Sequence, residues 1–274
     1  MPQTDAMTRA RLEKSRDAAA RDTTRAESIG PLTLYVRDAR GLPHCARPTP
    51  GGDAAPTAAD ILAVRARQRE LNVPETFEWV DETTPGMREA AIEAELHVHE
   101  HPLMVLDPDR RPTERPALPD LVTLRRVRAD ATDLAIAHSV ASVGFAYPGT
   151  AAGAPGPTER DTVAIGQDAE TLSHLNERLR SGETVMFAAY SPAGPLAVGC
   201  YQHVYDATEI VGVATLPAAR RGGLASALTW ELADHALAGG SDTVFLTAGD
   251  DDVARVYDRL GFRAVGTAMI GEAP

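Results

Sequence analysis

The sequence predicts an α/β protein of the α+β type, with a mixed sheet flanked by helices and a smaller α/β subdomain before it. Three observations carry this. Apolar strand-like runs alternate with helix-like runs over residues 121–274. Residues 107–120 hold four prolines among charges, so that segment lacks the backbone donors a sheet or helix needs. The 274 residues also exceed one small domain, at roughly 100–200 residues per domain.

Residues 1–30 are rich in Arg, Asp, Ala and Thr and poor in large apolar side chains. They read as a charged arm, either a solvated helix or disordered. The subdomain 31–106 opens with a strand over 32–36 and a Pro/Gly loop over 48–56. Thr57 is a fair N-cap for a helix reaching residue 71. A short strand (77–80), a helix (85–95) and a strand (96–106) follow. After the Pro-rich linker (107–120) comes a strand over 121–127, a helix over 130–145, a Gly/Pro/Ala loop over 147–156 and a helix over 168–180. Strands are expected over 184–190, 196–205 and 208–215. Then come a helix (223–238), a strand (244–247), a helix (251–260) and a last strand (262–270). Residues 58–106 and 224–270 share the order helix, strand, helix, strand, a faint internal repeat.

Composition removes several function classes. Of 27 basic residues 26 are Arg, and the lone Lys14 sits in the charged arm. A P-loop, a Schiff-base enzyme and a protein kinase all need a well-placed lysine. The net charge of −12 argues against nucleic acid as a partner. No apolar run is long enough to span a membrane. Two cysteines, Cys45 and Cys200, form no C-x-x-C pair, which suits a reducing cytoplasm.

The chemistry-bearing segment is Val213-Ala214-Thr215-Leu216-Pro217-Ala218-Ala219-Arg220-Arg221-Gly222-Gly223-Leu224-Ala225-Ser226. A strand ends at Thr215 and a helix begins at the glycines. Free amides and the helix dipole make that start an anion site. Gly222 and Gly223 let an anion approach the backbone, and Arg220 and Arg221 add positive charge.

This segment resembles the GCN5-related N-acetyltransferase (GNAT) family, whose signature Q/R-x-x-G-x-G/A appears here as Arg220-x-x-Gly223-x-Ala225. A second family feature follows, Ala254-x-x-Tyr257-x-x-Leu260-Gly261-Phe262. The resemblance covers 121–274; the repeat makes 31–106 a candidate degenerate GNAT-like half, without the cofactor loop. It implies acetyl-CoA as co-substrate, with no metal. The diphosphate would rest on the amides of Arg221 to Ser226, and the pantetheine would pair with Val213, Ala214 and Thr215. An N–H near Val213 would stabilise the oxyanion. Tyr257 matches the family's general acid. Glu209, eleven positions before Arg220, matches the base of the histone-type members.

The acceptor implied is a primary amine of a small molecule or peptide, which attacks the thioester directly on a monomeric or homodimeric enzyme. Tyr147, in the loop the family uses to shape its acceptor site, and His203 and Tyr205, on the strand before Glu209, are candidate acceptor contacts. Other readings stay open. Tyr257 shares a helical face with Val253, Val256 and Leu260, the spacing of a core stripe. Asp251 and Asp252 are candidate caps for that helix. His97, His99 and His101 alternate on one strand face, either a polar surface or a zinc-compatible set. The chain could also be a non-catalytic CoA-binding regulatory module, or use a longer acyl-CoA or an aminoacyl-tRNA.

Overall fold

A computed structural model of the chain describes residues 2–36, 45–52 and 54–274. Met1 of the expected arm and Asp53 of the expected 48–56 loop lie outside the described residues. The elements of the first half are α1 (Pro2–Thr23), β1 (Arg25–Ile29), β2 (Leu32–Val36), β3 (Ala46–Pro48), α2 (Ala58–Glu70), β4 (Thr76–Val80), α3 (Met87–Glu93) and β5 (His97–Leu106). Those of the second are β6 (Thr123–Val127), α4 (Leu134–Ala146), α5 (Pro157–Ile165), α6 (Ala169–Ser181), β7 (Thr184–Ser191), β8 (Gly194–Val204), β9 (Ala207–Thr215), α7 (Leu224–Ala238), β10 (Val244–Thr247), α8 (Asp251–Asp258) and β11 (Phe262–Glu272).

Two compact units result, Met1–Met104 with Ala264–Pro274, and Val105–Arg263. In the first, the strands run β1-β2-β3-β4-β11-β5. Leu32, Leu34, Ile61, Val64, Phe77, Trp79 and Met87 form its core. β11 pairs antiparallel with β4, Ala268 opposite Val80 and Glu272 opposite Thr76. The end of the chain therefore completes the first unit, whereas the sequence groups it with 121–274. The expected arm is folded in as α1 and β1. Leu12 is buried, Tyr35 donates to Asp17, and Thr83 donates to Glu13 at 2.7 Å. Polar contacts of this kind leave no hydrophobic stripe for the sequence to reveal.

In the second unit the order is β10-β9-β8-β7-β6, antiparallel except for the β10–β9 pair. Helix α7 packs on one face, where Leu228 and Leu232 lie against Gly199. The other face carries a core of Leu134, Val140, Val143, Leu179, Val198 and Ala214 from α4, α6 and the strands. Residues 107–120 hold a single 3-10 turn, Pro108–Arg110, and no strand. They are tied along α7: the Arg111 guanidinium lies 4.3 Å from the Trp230 ring centre and 2.9 Å from Asp234, and Arg115 pairs with Glu231 at 3.1 Å. The repeat is realised as α2-β4-α3-β5 and α7-β10-α8-β11. Both copies leave their second helix through a left-handed residue, Glu95 (φ 58°) and Gly261 (φ 95°).

Candidate active site

The site grows from a fault in the β8–β9 ladder. Gln202 faces Glu209 and Cys200 faces Val211, but Val198 faces Ala214. Gly212 and Val213 together oppose Gly199, a β-bulge, and Gly212 supplies the left-handed residue at φ 65°. The extra residue reverses the alternation of side chains. Glu209 and Val211 point to the face covered by α4 and α6, where Arg178 holds the neighbouring Gln202 at 2.8 Å. Val213 points to the α7 face, beside Gly199, Leu228 and Leu232. On the other edge of β9, β10 pairs only from Thr208 to Ile210. Beyond Ile210 the two strands part, and the β9 edge has no ladder there.

The parting opens a cleft of about 720 Å³. Its walls include Glu209 to Thr215 of β9, Arg220, Arg221 and Gly223 to Ser226, Tyr257 of α8, Phe145 in the last turn of α4 and Tyr147 just after it. Arg221 (φ 67°) and Gly223 (φ 77°) are both left-handed and turn the chain into α7. Gly223 is the N-cap, so no side chain closes the first amides, and the first turn carries no acid. Those amides face the cleft with the positive end of the helix dipole behind them.

Tyr257 is buried, its ring centre 6.0 Å from that of Phe262. Burial pushes its phenol pKa well above the ordinary 10, so the hydroxyl keeps its proton at neutral pH. Its helix is capped by Asp250, which accepts from Val253 N–H at 2.8 Å, one residue before the expected Asp251 and Asp252. Glu209, half-buried, lines the cleft. His203 and Tyr205 do not line it. His203 sits opposite Thr208, one residue out of phase with Glu209, and its Nδ1 lies 3.3 Å from Thr208 Oγ1 on the α7 face. Tyr205 is in the β8–β9 turn, 73% exposed. His97, His99 and His101 lie on β5, and among the described residues no group of three or more His, Cys, Asp or Glu is placed to hold a metal ion.

Residues 157–262 match the family described as Acetyltransferase (GNAT) family. The chain carries a GNAT acetyltransferase domain. It is an acyltransferase. A GCN5-related N-acetyltransferase from Kribbella flavida has a similar fold, with TM-score 0.71, 22% identity, and coverage of 97% of this chain and 95% of that one. A tandem GNAT protein from the clavulanic acid biosynthesis pathway is similar at TM-score 0.56 and 16% identity, over 88% of this chain and 76% of that one. A GCN5-related N-acetyltransferase from Sphaerobacter thermophilus gives TM-score 0.56 at 15% identity, with the same shares, 88% and 76%. No curated protein matches the sequence.

The GNAT fold thus extends over the first unit, but its site features are gone. Helix α2, the counterpart of α7, starts with a capping box: Thr57 N–H donates to Asp60 at 2.9 Å and Asp60 N–H to Thr57 at 3.3 Å. A carboxylate of its own chain occupies that helix start. Aligning Glu95-Leu96 with Gly261-Phe262 puts Ala91 where the GNAT domain has Tyr257.

Arg220, the first residue of the GNAT signature, has its guanidinium engaged. It donates to the carbonyls of Gly144 (2.9 Å), Tyr147 (2.5 Å), Ala151 (3.2 Å) and Thr215 (3.3 Å). Two of these acceptors are at the end of α4, where the Gly144 carbonyl otherwise takes only a long bond, 3.4 Å, from Tyr147 N–H. The side chain is a strut between the α7 loop and the loop after α4, and burial lowers its pKa from the ordinary 12.5. Arg220→Ala should cost about 2 kcal/mol of stability, since charged hydrogen bonds contribute roughly 1.5–3 kcal/mol and these are half exposed. Arg220→Lys should recover little, because one ammonium cannot span four carbonyls. Urea midpoints check this, and an Arg220→Ala protein as stable as the parent would refute the strut.

Sequence reasoning passed over Gly212. An isolated glycine inside a strand pattern is a bulge signal, and Ile210-Val211-Gly212-Val213 carries it.

Proposed function

We propose that the GNAT domain transfers the acetyl group of acetyl-CoA to a primary amine of a small molecule or peptide by direct attack. The β9 bulge beside the open start of α7 carries this reading. Together they offer a free strand edge for an extended pantetheine arm and uncapped amides for a diphosphate. Arg221 to Ser226 would hold the diphosphate, Val213 to Thr215 the arm. Gly223 fits such a ligand, because it lines the cleft at φ 77° and its amide meets the ligand with no Cβ in the way. Acetyl-CoA supplies the activated thioester when bound.

Glu209 takes the proton the amine must lose. The Val213 N–H, beside the bulge, stabilises the negative oxygen that develops as the amine attacks. Tyr257 gives its proton to the departing sulfur. Cys200 is no rival nucleophile, since burial pushes its thiol up to about 12 and leaves almost no thiolate. Among the described residues no helix is long and apolar enough to cross a membrane, and both cysteines are free, which supports work in a reducing cytoplasm.

Calorimetry with acetyl-CoA tests the donor. Binding is expected at one site per chain, because α2 of the first unit is closed by its own capping box. No heat at hundreds of micromolar acetyl-CoA would sink the reading, and two equal sites would refute the closed first unit.

A further inference from the structure

Residues 107–120 read in the sequence as a linker, yet within the second unit they touch both helices that wall the cleft. The segment starts at the end of α8. Asp107 N–H donates to the Gly261 carbonyl at 3.0 Å, and Arg110 pairs with Asp258 at 2.8 Å. A Cβ at Gly261 would stand 2.8 Å from the Arg111 backbone. The segment then runs back along α7. Arg111 stacks on Trp230 and pairs with Asp234, and Arg115 pairs with Glu231. It reaches the glycines before α7 last. A Cβ at Gly223 would meet the Ala117 carbonyl at 3.5 Å, and one at Gly222 the Pro119 ring at 3.6 Å.

The loop at those glycines needs holding. Arg221 is left-handed at φ 67°, a backbone state that a residue with a Cβ keeps only where its surroundings enforce it. Arg220 fastens one side of the loop through its four carbonyls. Pro119 and Ala117 meet the other side. Pro108, Pro112, Pro116 and Pro119 fix φ at four places and stiffen the segment. Past Pro119 the chain turns tightly, with Val122 N–H donating to the Pro119 carbonyl at 3.2 Å. Leu121 in that turn is left-handed too, at φ 63°, where a turn favours glycine. Strained backbone thus lies on both sides of the Pro119–Gly222 contact.

Resting on the acetyl-transfer reading for the ligand, we propose that residues 107–122 brace the donor loop, with Arg111 and Arg115 as positioning residues. They fasten the segment to α7. The fastened segment holds Arg221 to Gly223 in the shape that turns the first amides of α7 toward the cleft.

The test compares the full chain with an Arg111→Ala/Arg115→Ala double variant and with Arg115→Lys. Neither arginine is a core residue, so the variants should fold, and urea midpoints record any loss of stability. Calorimetry should show the acetyl-CoA Kd of the double variant raised about five- to tenfold, the size expected from one stacked cation and two surface ion pairs. Amide exchange at Ala227, whose N–H bonds the Gly223 carbonyl at 3.0 Å, should quicken by a similar factor. Arg115→Lys can keep the contact to Glu231 and should match the parent in both. A merely structural segment would lower the urea midpoint and leave the Kd and the Ala227 exchange unchanged, and that result would overturn the brace alone. If the parent binds no acetyl-CoA, the donor reading falls, and unchanged Ala227 exchange would then overturn the brace as well.

Discussion

Tyr257→Phe should lower kcat by about 10²- to 10³-fold and leave the affinity for acetyl-CoA unchanged, the range seen when a general acid is lost. The substitution keeps the ring, and with it the contact to Phe262 and the packing of α8. Only the proton goes. A thiolate of ordinary pKa, roughly 8.5, is a poor leaving group beside a neutral amine unless an acid meets it. The sign of the pH dependence follows from burial. A phenol pushed above its ordinary value is protonated at every pH below about 10. Tyr257 therefore adds no alkaline limb to the wild-type kcat in that range, and the Phe variant should be lower by a constant factor across it. Steady-state rates at saturating acetyl-CoA measure this. A kcat that does not change would reduce Tyr257 to a core residue.

That core reading was visible in the sequence for a good reason. Tyr257 has the spacing of a buried stripe because it is buried; what the sequence could not show is that the same side chain also walls a cleft. The elements with strong local signals were legible. Thr57 caps α2 as its sequence says, and Val244–Thr247 is the strand expected. Helix α5 carries a local signal too, Pro157 at its first turn and Glu159 three residues after Gly156, but it is short and sits in a Gly/Pro/Ala-rich stretch that masks its start. Strands β1 and β3 are short, and their pairing with β2 is a tertiary fact. The site was legible where a motif names chemistry and illegible where geometry reassigns it. One bulge residue decides which faces Glu209 and Val213 take, and alternation puts His203 on the other face from Glu209. Arg220 reads as a charge for an anion, yet the carbonyls at the end of α4 claim its guanidinium. Composition could not foresee that Ala264–Pro274 would pack in the first unit.

Glu209→Gln should lower kcat/KM for the amine by about 10²-fold at neutral pH, the contribution of a general base. Glutamine keeps the shape of the side chain on β9, opposite Gln202, so the bulge and the cleft should stay intact. The decisive readout is pH. An alkylamine is an ammonium ion at neutral pH and must lose a proton before it can attack. In the wild type Glu209 takes that proton; in the Gln variant only water can. As pH rises toward the amine's own pKa, near that of a lysine at about 10.4, the amine arrives already neutral and the base becomes dispensable. The Gln defect should therefore shrink as pH rises, while the Tyr257→Phe defect stays constant because Tyr257 holds its proton across the same range. Two variants, one with a pH-dependent defect and one with a constant defect, separate the two proton transfers without any assumption about their size. A Glu209→Gln defect of the same magnitude at pH 7 and near pH 10 would assign Glu209 to positioning, and no defect at all would place the base elsewhere in the cleft.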